Sequence, residues 1–177
     1  WMLRLAGQHA DGVHIHPLNT RTYFSETVVP QLAAGAERAE RELDDFEVIV
    51  PAFLVVGDSD EERARWRELA RMQVAFYGST PNYAFIFEQL EHPGTTAALR
   101  EHQKAGDIAG MASVITDDIL RHFTTEGTWS TIADGIADRY AGHATRVVNY
   151  FGAIAWAEDP RYLARWKPIA NAVTAAV

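Results

Sequence analysis

Residues 46–58, FEVIVPAFLVVGD, form the longest apolar run of β-forming residues in the chain and set its fold class. A strand with one wet face alternates apolar and polar side chains; this one is apolar on both faces. That pattern suits a parallel strand held between two layers. Parallel neighbours need crossover connections, and the chain offers them. VHIHP at 13–17 and TRVVNYFGA at 145–153 read as two further strands, with helical periodicity between all three. Strand–helix alternation builds a parallel sheet through right-handed crossovers. The expected class is α/β, with about three parallel strands. Pro51 removes one ladder donor from the central strand, so a bulge or an unpaired spot is expected there.

The helices carry their own punctuation. In WMLRLAGQHA, Leu3, Leu5 and Ala6 are expected to face a core, and Gly12 ends that region. Thr20 is placed to cap a helix in which Phe24, Val28, Leu32 and Ala36 share one stripe. Pro30 predicts a kink or break within it. Ser59 and Glu62 have capping-box spacing, followed by Trp66, Leu69, Met72 and Phe76 on an inward stripe. From Ser79 to about Gly127 no strand is expected. A helix there is capped by Thr80, with Pro81 in its first turn. Shorter helices follow, then TWSTIADGIADRYAG leads into the third strand and a last helix begins near Pro160.

Composition narrows the function classes. A chain of 177 residues can bury a sizeable core, and its net charge of -8 argues against a nucleic-acid partner. With no cysteine there is no disulfide or thiolate metal site. No run of 18 apolar residues predicts a membrane span, and a cytoplasmic location is expected. The chain opens at Trp1, inside a helix, and reads as the tail of a longer protein. An open sheet of three strands leaves two edges uncovered. The missing N-terminal half or a second copy of the chain is expected to cover them, so a homo-oligomer is anticipated.

His14 and His16 stand at alternate positions and share one face of a strand, with Val13 and Ile15 on the other. Three uses stay open: a metal site, a substrate pocket, or two hydrogen-bonded structural imidazoles. A metal would need further ligands on later strand ends, where only Asp58 is offered; none is expected. Asn19 and Arg21 follow on the next loop as substrate-binding candidates. In FYGSTPNY, Tyr77, Thr80 and Tyr83 cluster where one helix ends and another starts, as a loop that lids a small-molecule pocket would. Asn149 and Tyr150 face opposite ways, so at most one of them reaches the pocket side. No nucleophile elbow, phosphate loop or pair of catalytic carboxylates is present.

The order of these motifs resembles the bacterial luciferase-like family. MLRLAGQHADGVHIHP, the strand ending in Gly57-Asp58, and IADGIADRYAGHATRVVNYF carry the likeness, and FYGSTPNY is similar to the branch using the deazaflavin coenzyme F420, which includes methylenetetrahydromethanopterin reductase-like proteins. The resemblance implies the C-terminal part of a (β/α)8 barrel. Residues 1–177 would form one partial-barrel domain, with a helical insertion at 79–127 before the last strand. It also implies hydride transfer between F420 and an organic substrate, with a flavin mononucleotide (FMN) monooxygenase or an inactive half-barrel assembly module as alternatives. His14 and His16 then lie at a catalytic strand end. Trp1 and Met2 would follow a Gly-Pro turn whose amides help hold the coenzyme phosphate.

Overall fold

The computed structural model describes residues 1–176. Helix α1 (Met2–His9) leads into strand β1 (Gly12–His14). Helix α2 (Arg21–Tyr23) then passes through a π-helical turn at Phe24–Val28 into α3 (Val29–Arg38). Strand β2 (Glu47–Val56) is followed by α4 (Asp60–Gly78), a 3-10 turn at Pro81–Tyr83, α5 (Ala84–Gln89) and α6 (Thr95–Lys104). Helices α7 (Ile108–Val114) and α8 (Asp117–Leu120) come next, then β3 (Thr124–Gly127) and α9 (Ile132–Tyr140). Strand β4 (Arg146–Asn149), α10 (Gly152–Glu158) and α11 (Tyr162–Ala176) complete the order.

All pairings of the four-stranded sheet run parallel, and β2 is the hub. Successive residues of a strand send their amides to opposite edges. Glu47 N donates to Asp11 O, Ile15 N to Ile49 O, and Gly57 N to Gly127 O, so the odd-numbered edge of β2 meets β1 low and β3 high. Thr145 N donates to Val48 O and Tyr150 N to Ala52 O, so the even-numbered edge meets β4. Strands β1, β2 and β4 are thus three adjacent staves of a partial barrel, and β3 is a short extra strand beside the upper half of β2. That strand corrects the expectation that nothing between Ser79 and Gly127 pairs: TTEG has little β-type signal, but its backbone fills an edge that β1 has left.

The two faces of β2 separate two cores. Val50, Ala52, Leu54 and Val56 pack with Ile15, Phe24, Val28, Leu32, Ile132 and Ile136, the side covered by α3 and α9. Phe53 and Val55 pack with Leu18, Trp66, Val74, Phe87, Leu99, Ile115 and Phe123, under α4 to α8. The second face is covered only at its upper end. Lower down, His14 and Arg146 are exposed beside Ile49, and Val148 is 41% exposed. This is the face a closed barrel turns inward.

Several local expectations meet their physical cause here. Thr20 accepts from Tyr23 N, and Ser59 accepts from Glu62 N while Glu62 reaches back to Asp58 N. Pro30 sits in the first turn of α3, so the break it imposes takes the form of the preceding π-helical turn. Strand β2 has no bulge at Pro51. Its unpaired spot lies where β1 bends away. Thr80 bounds the 3-10 turn without a side-chain bond, so its cap is backbone only. Leu5 and Phe76 are 38% and 59% exposed, contrary to the core-facing position expected for Leu5 and the inward stripe expected for Phe76. At Leu5, α1 instead meets α3 through glycines: a Cβ on Gly7 would run into Leu32 O, and one on Gly35 into Arg4 O.

Candidate functional site

The ladder between β1 and β2 stops because the next two donors are prolines. After Ile15 N–Ile49 O, parallel register calls for donors from residues 51 and 17, and Pro51 and Pro17 have none. The chain bends, and Asn19 fills the opening. Its Nδ2 donates to His16 O, Pro17 O and Pro51 O at 3.0, 3.1 and 3.2 Å. Asn19 is 2% exposed, so its amide is committed to the chain's own carbonyls. The bend leaves His16 on the inward face, at the C-terminal end of the stave.

His16 is half-buried and packed by two rings. Tyr77, on α4, meets it edge-on with centroids 4.6 Å apart. Tyr83, in the 3-10 turn, stacks on it at 4.7 Å with an interplanar angle of 27°. Leu18 N donates to His16 Nδ1 at 3.1 Å. An amide N–H cannot accept, so Nδ1 holds a lone pair and the proton resides on Nε2. Burial pushes the imidazole below its ordinary pKa of 6.5.

The polar network continues away from the histidine. Tyr150 follows β4, on the same face as Phe53, whose ring it meets at 4.9 Å. Its hydroxyl lies 2.7 Å from that of Tyr77 and donates to Gln73 Oε1 at 3.4 Å. The Gln73 oxygen only accepts, which sets the direction: Tyr77 donates to Tyr150, and Tyr150 donates to Gln73. Burial, and then the bond to Tyr77, push the Tyr150 phenol up to about 12. Tyr23 is raised by burial and by the neighbouring Tyr83 phenol. The cluster is therefore polar and aromatic, and none of its side chains is a carboxylate, a lysine or an arginine.

Of the residues singled out in the sequence, the structure brings His16, Tyr77 and Tyr83 together. His14 lies lower on the same face, exposed, level with Ile49. Arg21 is drawn elsewhere, donating to Asp138 O and Asp138 Oδ2 at 2.7 and 2.6 Å on α9. Thr80 is exposed, and Trp1 and Met2 are 83% and 70% exposed at the start of α1. Sequence reasoning overlooked Gln73 and Tyr23. Gln73 precedes Tyr77 by one helical turn, a spacing that places both on one face. Tyr23 needed the π-helical turn, which has no comparable signal. Among the described residues no group of three or more His, Asp or Glu is set to hold a metal ion. No helix among them is long and apolar enough to cross a membrane. A cavity of about 520 Å³ lies on the other face of the sheet, between β4, α9 and α11, where Leu54, Ile136, Val147 and Ile169 line it. Its lining is mostly apolar, and it lies on the opposite face of the sheet from the His16 cluster.

Known proteins resemble this chain in sequence and fold. An uncharacterized protein of Mycobacterium tuberculosis is 34% identical over 152 residues, which cover 86% of this chain and 45% of that protein. The 5,10-methylenetetrahydromethanopterin reductase of Methanopyrus kandleri is 28% identical over 147 residues, covering 83% of this chain and 41% of the reductase. The solved structure of the coenzyme F420 dependent tetrahydromethanopterin reductase from Methanopyrus kandleri aligns with a TM-score of 0.64 at 25% identity, again over 83% of this chain and 41% of that one. The chain thus spans under half the length of these relatives. A profile described as luciferase-like monooxygenase matches residues 1–146, most of the 177. With the parallel staves and this match together, the chain belongs to the luciferase-like monooxygenase family.

Proposed function

We infer that this chain forms one wall of the active site of an oxidoreductase in which coenzyme F420 exchanges a hydride with a small organic substrate. One observation carries the reading: His16, Tyr77 and Tyr83 converge at the C-terminal ends of the staves, where barrel enzymes keep their chemistry. The relatives named as F420 dependent or methylenetetrahydromethanopterin reductases support it. The residues fit such a coenzyme. An uncharged wall of rings with one N–H donor suits a flat, neutral heterocycle, and hydride chemistry needs no protein nucleophile.

When bound, the coenzyme supplies the hydride at its deazaflavin C5. The chain's part is to orient and to exclude water. His16 presents Nε2–H, Tyr77 and Tyr83 bound the space laterally, and α4 to α8 cover the upper end. Trp1 and Met2, at the start of α1, would help hold the coenzyme phosphate. Asn19, Arg21 and Thr80 shape the loops around the substrate space, and His14 lines the lower lumen. Residues 1–177 act as one partial-barrel unit, with 79–127 inserted over its mouth. The remaining staves come from further polypeptide or from a second copy in a homo-oligomer, and the protein works in the cytoplasm.

Fluorescence titration with coenzyme F420, and separately with FMN, tests this. Saturable F420 binding without FMN binding is the expected result. FMN binding with substrate-dependent oxygen consumption would replace it with a flavin monooxygenase. A stable oligomer that binds neither would leave an assembly module.

A further inference from the structure

The geometry points to His16 as a fixed, neutral hydrogen-bond donor that takes an uncharged carbonyl oxygen of the ligand and does not transfer a proton. The argument starts from the Leu18 amide. It donates to Nδ1 at 3.1 Å from only two residues along the chain, a turn held further by Asn19 Nδ2 on the His16 and Pro17 carbonyls. Protonating Nδ1 would place two N–H groups against each other, and the bend cannot open without releasing the Asn19 clamp. Burial acts in the same direction. His16 Nε2–H has no hydrogen-bond partner among the described residues, and it belongs to a ring that Tyr77 and Tyr83 hold in place.

Two consequences follow from this protonation state. A neutral imidazole that gave up its Nε2 proton would become an anion, and the Leu18 amide is no proton source to refill it. Proton delivery to a reduced substrate therefore falls to another group or to water. The second consequence concerns the ligand. The groups facing His16 are Tyr77 from α4 and Tyr83 from the 3-10 turn, with Tyr23 beyond Tyr83. None of them is cationic, so nothing here offsets the desolvation of a carboxylate or phosphate. A carbonyl oxygen accepts from Nε2–H without bringing a charge. That oxygen is carried either by the coenzyme ring or by the substrate. Only this last identification rests on the oxidoreductase reading; the tautomer does not.

The test uses the 15N-labelled chain. Long-range 1H–15N spectra identify the His16 ring by its loss in His16→Asn, which keeps an acceptor for the Leu18 amide but has no donor at the ε position. Between about pH 5.5 and 8 the wild type should show one tautomer, proton on Nε2, with no titration near the ordinary histidine midpoint. A proton on Nδ1, or averaging of the two nitrogens, overturns the proposal. Coenzyme F420 and cyclohexanone are then added separately. A downfield shift of the His16 Nε2–H with F420 places the oxygen on the coenzyme; a shift with cyclohexanone places it on the substrate. No shift with either overturns the carbonyl assignment. If F420 fails to bind while cyclohexanone shifts the proton, the coenzyme reading fails and this one stands.

Discussion

The side chain of Asn19 donates to the main-chain carbonyl of Pro51 across two staves, at 3.2 Å, in place of a backbone donor that Pro17 does not have. The bond joins the turn that carries His16 to the centre of the sheet. Asn19→Ala leaves the buried Pro51 carbonyl unpaired and should cost about 1–3 kcal/mol. Asn19→Asp, which sets a carboxylate against three carbonyls, should cost more. Urea unfolding of the two variants beside the wild type measures both, and equal stability of all three would show that water replaces the amide.

The Tyr77–Tyr150 contact is open to a double-mutant cycle. Each Tyr→Phe change removes one hydroxyl of a pair 2.7 Å apart. A coupling energy of about 0.5–1.5 kcal/mol is expected. Tyr150→Phe should be the costlier single change, because it also removes the donor to Gln73. Additive effects in the cycle would mean the two phenols do not hold one another in solution.

Acid should weaken the fold through His16. Its folded pKa lies below 6.5 because burial disfavours the charged ring. The stabilising contribution is thus fully present above the unfolded value and drains away as pH falls from 6.5 through the lowered folded one. His122 acts in the same direction, through burial first and the neighbouring Arg121 next. Unfolding free energies measured from about pH 7.5 down to 5.5 should fall, and fall less steeply in His16→Asn. An identical slope in the variant would assign the effect to His122.

The crossing of α1 and α3 depends on two glycines. Gly7→Ala drives a methyl into Leu32 O, and the partner is backbone that cannot swing aside. A loss of about 1–3 kcal/mol is expected, with faster amide exchange throughout α1. Unchanged exchange would mean that the helices separate freely to admit the methyl.

What the sequence disclosed, and what it withheld, follows from the range of each interaction. The three staves were readable because β2 is apolar on both faces and helical periodicity separates it from its neighbours. The caps at Thr20 and Ser59 were readable because they are local bonds of one residue type at one spacing. Strand β3 was not, since TTEG pairs only because β1 turns away at two prolines facing each other across the register. The His16–Tyr77–Tyr83 grouping was legible in part, as residue types at the right ends of elements. Tyr150 was weighed only as one of two residues facing opposite ways; the register Val148–Pro51 decides that it stands with His16. Tyr23 could not be found from periodicity, because a π-helical turn shifts the helix phase just after it.

The uncovered margins of β1 and β4 have a consequence for handling the molecule. Each offers a row of unclaimed amides and carbonyls beside an apolar patch that includes Val148, and such rims act as templates for foreign strands. Solutions of the isolated chain should therefore cluster as concentration rises, and a lysine placed on either rim should keep the particles small in light scattering.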